Sequence, residues 1–234
     1  MNKELFIDEL KKIGVFLDKN QIKMLDSYKE QLKEWNKKIN LTTIINDEDI
    51  YLKHFYDSLC IVKAIDLNNK KICDFGTGAG FPGLVLAIIF NNTNVTLIES
   101  NGKKVEFLNF IVDLLNLKNV EIINDRAEIY GKENRELFDI VTCRAVSNLN
   151  IILELSVSML KIGGYFIPLK SNVDEELKSS EKKQRLLGYS FDNRIEYELP
   201  YELSKRTILI FKKIKKTDMK YPRNYNIIKK EIIK

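Results

Sequence analysis

Four of the chain's 10 glycines lie in the segment from Ile72 to Gly83, which reads ICDFGTGAGFPG. Glycine has no Cβ, so it permits tight turns and lets the backbone approach a ligand closely. Asp74 lies two residues before Gly76, and Gly78 follows in a GxGxG pattern. The third glycine of a GxGxxG dinucleotide loop would fall at Phe81. The segment predicts a ligand-binding loop, although such loops also join a strand to a helix with nothing bound.

Acidic residues further along the chain narrow the choice of ligand. Glu99 ends the next apolar run, about twenty residues beyond the loop, where a carboxylate accepts hydrogen bonds from ribose hydroxyls. Glu99 alone suits NAD or S-adenosylmethionine, but the acid-x-GxGxG spacing and an antiparallel last strand favour S-adenosylmethionine. The third run ends at Asp125-Arg126-Ala127-Glu128, where we expect a contact with adenine. Alternatively, Asp125 and Glu128 only cap a turn and a helix.

The elements that would position these residues alternate between strand and helix. Short runs rich in Val, Ile and Phe predict strands, namely KICDF, NVTLIE, VEIIND, FDIVTCRA and GGYFIPLK. Helical stretches are predicted at 82–91, 102–116, 151–161 and 173–187. This alternation indicates a parallel sheet covered by helices on both faces. The late runs IEYELP and RTILIFKKI predict a closing antiparallel pair.

Residues 1–70 have a different pattern, typical of amphipathic helices. Apolar and aromatic residues recur at three- and four-residue spacing at Met24, Leu25, Tyr28, Leu32 and Trp35. Asn46 is followed by three acidic residues, which predicts a capped helix start.

Composition excludes several classes of protein. A hydrophobic content of 44% and a charged content of 30% fit a soluble globular protein. No apolar run reaches the ~20 residues that cross a bilayer, so we expect no membrane association. The three cysteines are widely spaced, which favours reduced thiols and a cytoplasmic location. His54 is the single histidine, which argues against a histidine-based metal site or a Ser-His-Asp triad. Nothing in the sequence requires an oligomer, so we expect a monomer.

The loop after the fourth predicted strand limits the chemistry of a methyl transfer. It reads TCRAVS and lacks the N/D-P-P-Y sequence that serves exocyclic amino groups. Cys143 has no preceding proline, so we interpret it as a core residue and not as a nucleophile. A ring nitrogen with a free lone pair, such as guanine N7, has no proton to remove, and positioning alone can drive its methylation.

The carboxyl end of the chain is strongly basic. Residues 205–234 hold 11 Lys and Arg against two acidic residues, whereas the whole chain has a net charge of +5. Tyr221 and Tyr225 lie among basic residues that include Lys216 and Arg223. This pattern predicts phosphate and base contacts with RNA, although a merely solubilising end would look similar.

These motifs together resemble those of the bacterial ribosomal RNA small-subunit methyltransferase G family, also called glucose-inhibited division protein B. WNKKINLT at 35–42 is similar to the family's WNxxxNLT, and HFYDSL at 54–59 is similar to its HxxDSL. The glycine loop with FPG follows, and further matching positions come in the family order: Glu99-Ser100, Lys103-Lys104, Arg126-Ala127-Glu128, Arg144-Ala145, Gly163-Gly164, Lys170 and Tyr221-Pro222-Arg223. Ser171 and Asn226 replace glycines that are usual in the family.

The resemblance implies an α/β, class I S-adenosylmethionine-dependent methyltransferase (Rossmann-like) fold. Its mostly parallel seven-stranded sheet would have an antiparallel last strand. The predicted parts are an N-terminal helical region at 1–70 packed on the core, the methyltransferase domain at 71–214 and a basic C-terminal tail at 215–234.

The resemblance also implies methylation of N7 of one guanosine in 16S ribosomal RNA of the small ribosomal subunit, with S-adenosylmethionine as cofactor. The implied cofactor contacts are Gly76, Phe81, Ala127, Glu128 and Arg144. The acid-x-GxGxG spacing adds Asp74 and Gly78, and the expected bond to ribose adds Glu99. Arg144 would also position the target base. Four residues would contact RNA: Lys170, Lys216, Tyr221 and Arg223.

Other functions remain open at this stage. The chain could methylate a small molecule or a protein, or it could be a cofactor-binding RNA assembly factor without catalysis. An NAD-dependent dehydrogenase is a more distant alternative. His54 could be a hydrogen-bonded structural residue or a catalyst, and a hydrogen bond to Asp57, three residues on, would suit a shared helix face.

Overall fold

The computed structural model of the protein describes residues 1–171 and 173–232. Within them, seven strands form one sheet: β1 Lys71–Phe75, β2 Asn94–Ile98, β3 Val120–Ile123, β4 Phe138–Arg144, β5 Leu160–Lys170, β6 Tyr189–Glu198 and β7 Lys205–Lys213. Their order is β3-β2-β1-β4-β5-β7-β6. The strands β1 to β5 pair in parallel, and β7 is antiparallel to both of its neighbours. The fold is therefore of the predicted class I methyltransferase type.

The N-terminal part is helical and packs against the helices that follow β1 and β2. It comprises α1 Lys3–Lys12, α2 Lys19–Asn36, α3 Asp47–Asp49, a π-helical segment Ile50–Tyr56, α4 Asp57–Leu59 and a 3₁₀ turn Cys60–Lys63. A capping box of Asp18 and Gln21 fixes the start of α2. The Asn46 side chain accepts hydrogen bonds from Glu48 N and Asp49 N, as expected for the start of α3.

The remaining helices are α5 Gly83–Ile89, α6 Gly102–Leu114, α7 Ala127–Glu133, α8 Leu149–Val157, α9 Asp174–Leu187 and α10 Tyr225–Ile232. Five of these helices connect strands and α10 follows the last strand, and the sheet separates two apolar clusters. Side chains alternate across a strand, so Ile72 joins the cluster of the N-terminal helices, α5 and α6, whereas Cys73 joins that of α8, α9 and α10. The strand β1 is buried beyond its first residue because helices cover both faces.

The structure differs from the sequence-based expectations at several boundaries. The helix predicted at 151–161 ends at Val157, because Leu160 already pairs with Phe138 in the sheet. The short helix α7 was not predicted, and β6 begins at Tyr189 instead of 195. The segment predicted as a basic tail contains α10, and residues 233–234 of that segment lie outside the described residues.

In the described part of the chain, none of the helices is both long enough and apolar enough to cross a bilayer.

Candidate active site

The glycine loop begins where β1 ends, and Asp74 anchors it from below. Asp74 Oδ2 accepts hydrogen bonds from the Thr77 hydroxyl at 2.6 Å and from the Gly83 N–H at 2.8 Å. Asp74 Oδ1 is buried without a hydrogen-bond partner among the described residues. Burial raises the pKa of Asp74 to about 7, although the bonds from Thr77 and Gly83 oppose this shift. Gly76 and Gly78 have φ angles of 63° and 64°, which favour glycine.

Glu99 connects this loop to the end of β2. Its Oε2 accepts a hydrogen bond from the Gly78 N–H at 2.9 Å, and its Oε1 accepts one from the Asn101 N–H at 2.8 Å. Each carboxylate oxygen carries a second lone pair, but Glu99 is buried. The predicted bond to ribose stays a prediction.

A first cavity of about 320 Å³ opens at the carboxyl ends of β1, β2 and β3. Its floor is apolar and consists of Phe75, Ile98 and Leu155. Val146 and Tyr225 also line it, as do polar and small residues that follow these strands: Gly76, Ser100, Asp125, Arg126, Ala127 and Glu128. The sequence therefore located Gly76, Ala127 and Glu128 on the walls of one cavity.

Phe81, near the end of the glycine loop, is buried in a stack of aromatic rings. Its ring lies 4.2 Å from that of His54, with 12° between the planes, and 5.5 Å from that of Tyr28. The Tyr28 hydroxyl donates a hydrogen bond to the Ala79 carbonyl, so α2 holds the loop in place. A direct contact between Phe81 and a cofactor stays a prediction.

Arg144, the last residue of β4, is bound to the N-terminal helical part. Its Nη1 donates to the Lys53 carbonyl at 2.7 Å and to Asp57 Oδ2 at 3.0 Å, and its Nη2 donates to His54 Nδ1 at 3.1 Å. Its guanidinium also lies 5.2 Å from the centre of the Phe81 ring. His54 and Asp57 therefore both bind Arg144, and the bond expected between the two is not present in the described residues.

The environment of His54 keeps it neutral. Burial, and then the charge of Arg144, lower its pKa to about 3. Because Arg144 donates to Nδ1, the proton is on Nε2, which lies 2.9 Å from Thr42 Oγ1. Both ring nitrogens are thus hydrogen-bonded within the protein, and His54 is a structural residue that accepts a hydrogen bond from Arg144.

A second cavity of about 470 Å³ lies on the other side of Arg144. Four basic side chains line it, from Lys53, Arg144, Lys170 and Arg206, together with the acidic Asp57 and Glu176. Lys170 Nζ donates to the Ser147 carbonyl at 3.0 Å and pairs with Glu176 at 2.9 Å. The loop after β4 separates the two cavities, because Arg144 and Ala145 line the second and Val146 lines the first.

The basic C-terminal residues have mixed surroundings. Lys216 is exposed, as an RNA contact requires. Tyr221 is buried, and Arg223 binds Glu154 and Glu231 within the protein. The packing gives Tyr221 and Arg223 a structural role that the sequence did not indicate, and their contact with RNA stays a prediction.

Tyr28 and Tyr225 both lie at the site, although neither was predicted to contact the cofactor. The sequence pattern places Tyr28 in an amphipathic helical stripe and Tyr225 among the basic residues that are expected to contact RNA. The HxxDSL similarity singled out His54 and Asp57, but it did not indicate that both side chains bind Arg144.

The chain matches known proteins over most of its length. The family model described as rRNA small subunit methyltransferase G matches residues 21–197. The ribosomal RNA small subunit methyltransferase G of Bacillus subtilis strain 168 is 41% identical over 227 residues, which cover 95% of each chain. That of Acetivibrio thermocellus is 41% identical over 223 residues, covering 94% of this chain and 92% of the relative.

Solved structures support the same fold. M. jannaschii TYW2 in complex with AdoMet has a TM-score of 0.55 at 19% identity and covers 74% of this chain and 80% of its own. A SAM dependent methyltransferase from Aquifex aeolicus has a TM-score of 0.51 at 19% identity, and the match covers 78% of this chain and 98% of that protein. At such identities the likeness supports the fold alone. The similarity in sequence is much closer, and the chain belongs to the rRNA small subunit methyltransferase G family.

Proposed function

We propose that this protein transfers a methyl group from S-adenosylmethionine to N7 of one guanosine in 16S ribosomal RNA of the small ribosomal subunit. The observation that carries the proposal is the pair of cavities on either side of residues 144–146, in a chain of this family. A methyl transfer needs a donor and an acceptor that meet at one point, and the loop after β4 is such a point.

The first cavity suits the donor. S-adenosylmethionine would supply an activated methyl group on a sulfonium centre. Gly76 and Gly78 allow the backbone to approach it, and Glu99, Ala127 and Glu128 follow the strands where ribose and adenine contacts are expected. Asp74 Oδ1, buried without a partner among the described residues, is an acceptor that fits a positively charged ligand.

The second cavity suits a guanosine within RNA. Guanine presents two hydrogen-bond acceptors, N7 and O6, on one edge, and the phosphates of the RNA backbone are anionic. Basic side chains from Lys53, Arg144 and Lys170 line this cavity. Arg144 is held by three acceptors, so we assign it the role of positioning the base relative to the methyl donor.

The states of the histidine and of two cysteines agree with N7 as the acceptor atom, and the carboxylates that line the second cavity are held in ion pairs with basic side chains. His54 has a pKa of about 3 and uses both ring nitrogens. Burial raises the pKa of Cys60 to about 12 and that of Cys143 well above its usual range, so neither is a thiolate near neutral pH. Guanine N7 has no proton, and its methylation requires neither a base nor a nucleophile.

The substrate sets the expected location and partners. We expect the enzyme to act in the cytoplasm, on the small ribosomal subunit or its RNA, and as a monomer. Exposed Lys216, together with Lys170 at the second cavity, would contribute to RNA binding. Such binding should weaken as salt rises, because phosphate contacts release counterions.

A labelling experiment tests the proposal. S-adenosylmethionine labelled on its methyl group is offered with small subunits, and separately with naked 16S RNA, from a strain that lacks the modification. The RNA is digested, and the labelled nucleoside is identified by mass. We expect 7-methylguanosine with the wild type and a large loss with Arg144→Lys. Arg194→Lys, which changes an exposed arginine on β6, should behave as the wild type.

The other outcomes would contradict the proposal. Label in a different nucleoside would exclude N7 of guanosine as the acceptor. Equal labelling of free nucleotides would favour a small-molecule methyltransferase. Cofactor binding without any label would favour an RNA assembly factor that does not catalyse the reaction.

A further inference from the structure

The C-terminal segment Thr217–Tyr225 is fixed to the body of the protein. The guanidinium of Arg135 donates to the Tyr221 carbonyl at 2.7 Å and to the Thr217 carbonyl at 3.0 Å. Fully buried Glu154 of α8 accepts hydrogen bonds from Arg223 at N, Nε and Nη2, at 3.0, 2.8 and 2.7 Å. These anchors act on both sides of the Tyr221-Pro222 turn and determine where α10 begins.

Burial of α10 itself completes the attachment. Ile228 has no exposed surface and lies in the same apolar cluster as the residues of α8. Its neighbour Ile227 points away and is 52% exposed. The first residue of the helix, Tyr225, is half-buried and packs at the edge of this cluster.

This arrangement brings Tyr225 to the first cavity as part of its wall. The guanidinium of Arg126 lies 5.3 Å from the centre of the Tyr225 ring, and the Arg126 Nε donates to Glu128 at 2.7 Å. Tyr225 therefore faces the loop after β3, where an adenine contact is expected. Phe75, Ile98 and Leu155 form the apolar floor of the same cavity.

We infer that Tyr225 is a cofactor-binding residue whose ring packs against the adenine of the nucleoside in the first cavity. A flat aromatic ring beside an apolar floor suits a planar base, because stacking needs only a π-face on each partner. The C-terminal segment is then a wall of the cofactor site, in addition to any contact that its lysines make with RNA. This inference rests on the proposed function, which supplies the cofactor.

Calorimetric titration with S-adenosylhomocysteine tests the role of Tyr225 by affinity alone. We expect Tyr225→Ala and Tyr225→Leu to raise Kd about ten-fold or more, by loss of the stacked ring. Tyr225→Phe keeps the ring and should stay close to the wild type. Ile227→Ala is the matched control, because Ile227 lies on the same helix but outside the first cavity. Melting temperatures would identify any variant that is not folded.

Each outcome distinguishes this inference from the proposed function. Unchanged affinity in Tyr225→Ala and Tyr225→Leu would overturn the inference while the proposed function stands. An equal loss in Ile227→Ala would also overturn it, because helix packing and not the ring would then matter. Weaker binding to 16S RNA with unchanged cofactor affinity would assign the ring to RNA instead. A wild type that does not bind S-adenosylhomocysteine would overturn both.

Discussion

Arg144 donates from Nη2 to Nδ1 of His54 across 3.1 Å, which joins the end of β4 to the π-helical segment Ile50–Tyr56. π-helical turns are rare in proteins, and those that occur are often found at functional sites. Here the segment presents the Lys53 carbonyl and His54 to one guanidinium, and Asp57 follows directly. The N-terminal helical part is thus the scaffold that orients the arginine at the end of β4.

Removal of the His54 ring should impair methylation. His54→Ala takes away an acceptor of Arg144 and the ring that stacks on Phe81, so the arginine is less well oriented. We expect kcat to fall about ten-fold or more, since small displacements of positioning groups are costly. His54→Asn, whose side-chain oxygen can accept from Arg144, should retain more activity. Equal rates for the two variants, both close to the wild type, would contradict this role.

Asp74 should make the protein less stable as the pH rises. Its pKa is about 7 in the folded state and close to 3.8 in the unfolded state, so the folded state binds more protons between these values. Its contribution to stability is complete below about pH 4 and is lost as the pH rises through 7. The loss is on the order of a few kcal/mol. The asparagine in Asp74→Asn cannot ionise, so this variant should not lose stability in this way as the pH rises.

Melting curves at several pH values test this prediction for Asp74. Asp74→Asn should melt above the wild type at pH 8, and the difference should disappear near pH 4. The same variant should bind S-adenosylmethionine less tightly, because it lacks the buried negative charge. Parallel melting curves for the two proteins across this pH range would show that Asp74 carries no raised pKa.

The sequence predicted the elements of the site better than the contacts between them. β1 was predicted at residues 71–75, as observed, because a buried parallel strand reads as a continuous apolar run. The glycine loop and the antiparallel β7 were also predicted, since turn residues and short apolar runs are local signals. The helix α7 was missed because it has only seven residues and contains Gly131.

Contacts between distant residues were beyond the reach of local patterns. His54 and Arg144 are 90 positions apart, and Glu154 and Arg223 are 69 apart. No periodicity or spacing connects such pairs. The basic composition of the C-terminal segment predicted a tail that contacts RNA, whereas its few apolar residues and one arginine fix it to α8.

Alanine at Gly76 should be more harmful than alanine at Gly78. Both residues have a positive φ, near 63° and 64°, so each alanine should destabilise the protein by about 1–2 kcal/mol. A Cβ at Gly76 would also lie 2.8 Å from Val146 Cγ2, whereas nothing lies within 4 Å at Gly78. Val146 lines the first cavity, so Gly76→Ala should displace part of its wall.

Titration with S-adenosylhomocysteine separates the two effects at the glycine loop. We expect a clear loss of affinity in Gly76→Ala and a smaller one in Gly78→Ala. Gly14→Ala is a matched control for backbone strain, because Gly14 has a φ of 78°, no atom within 4 Å and a place outside the loop. It should lower the melting temperature and leave affinity unchanged. Equal affinities of Gly76→Ala and the wild type would contradict the argument.

Neutralisation of Glu154 should detach the C-terminal segment. Burial opposes its ionisation, but hydrogen bonds from Arg223 and Lys183 outweigh this and lower its pKa. Glu154→Gln leaves both cations without their buried partner, and breaking such a pair costs about 3 kcal/mol. Glu231→Gln is the control, because Glu231 is about half exposed and its pairs should contribute about 1 kcal/mol or less.

Urea unfolding and calorimetry together test this role of Glu154. In Glu154→Gln the free energy of unfolding should fall well below that of Glu231→Gln. Affinity for S-adenosylhomocysteine should fall as well, because the attachment that presents Tyr225 to the first cavity is weakened. A destabilised Glu154→Gln that binds the ligand as tightly as the wild type would separate the two effects. The Arg223–Glu154 pair would then stabilise the fold without shaping the cofactor site.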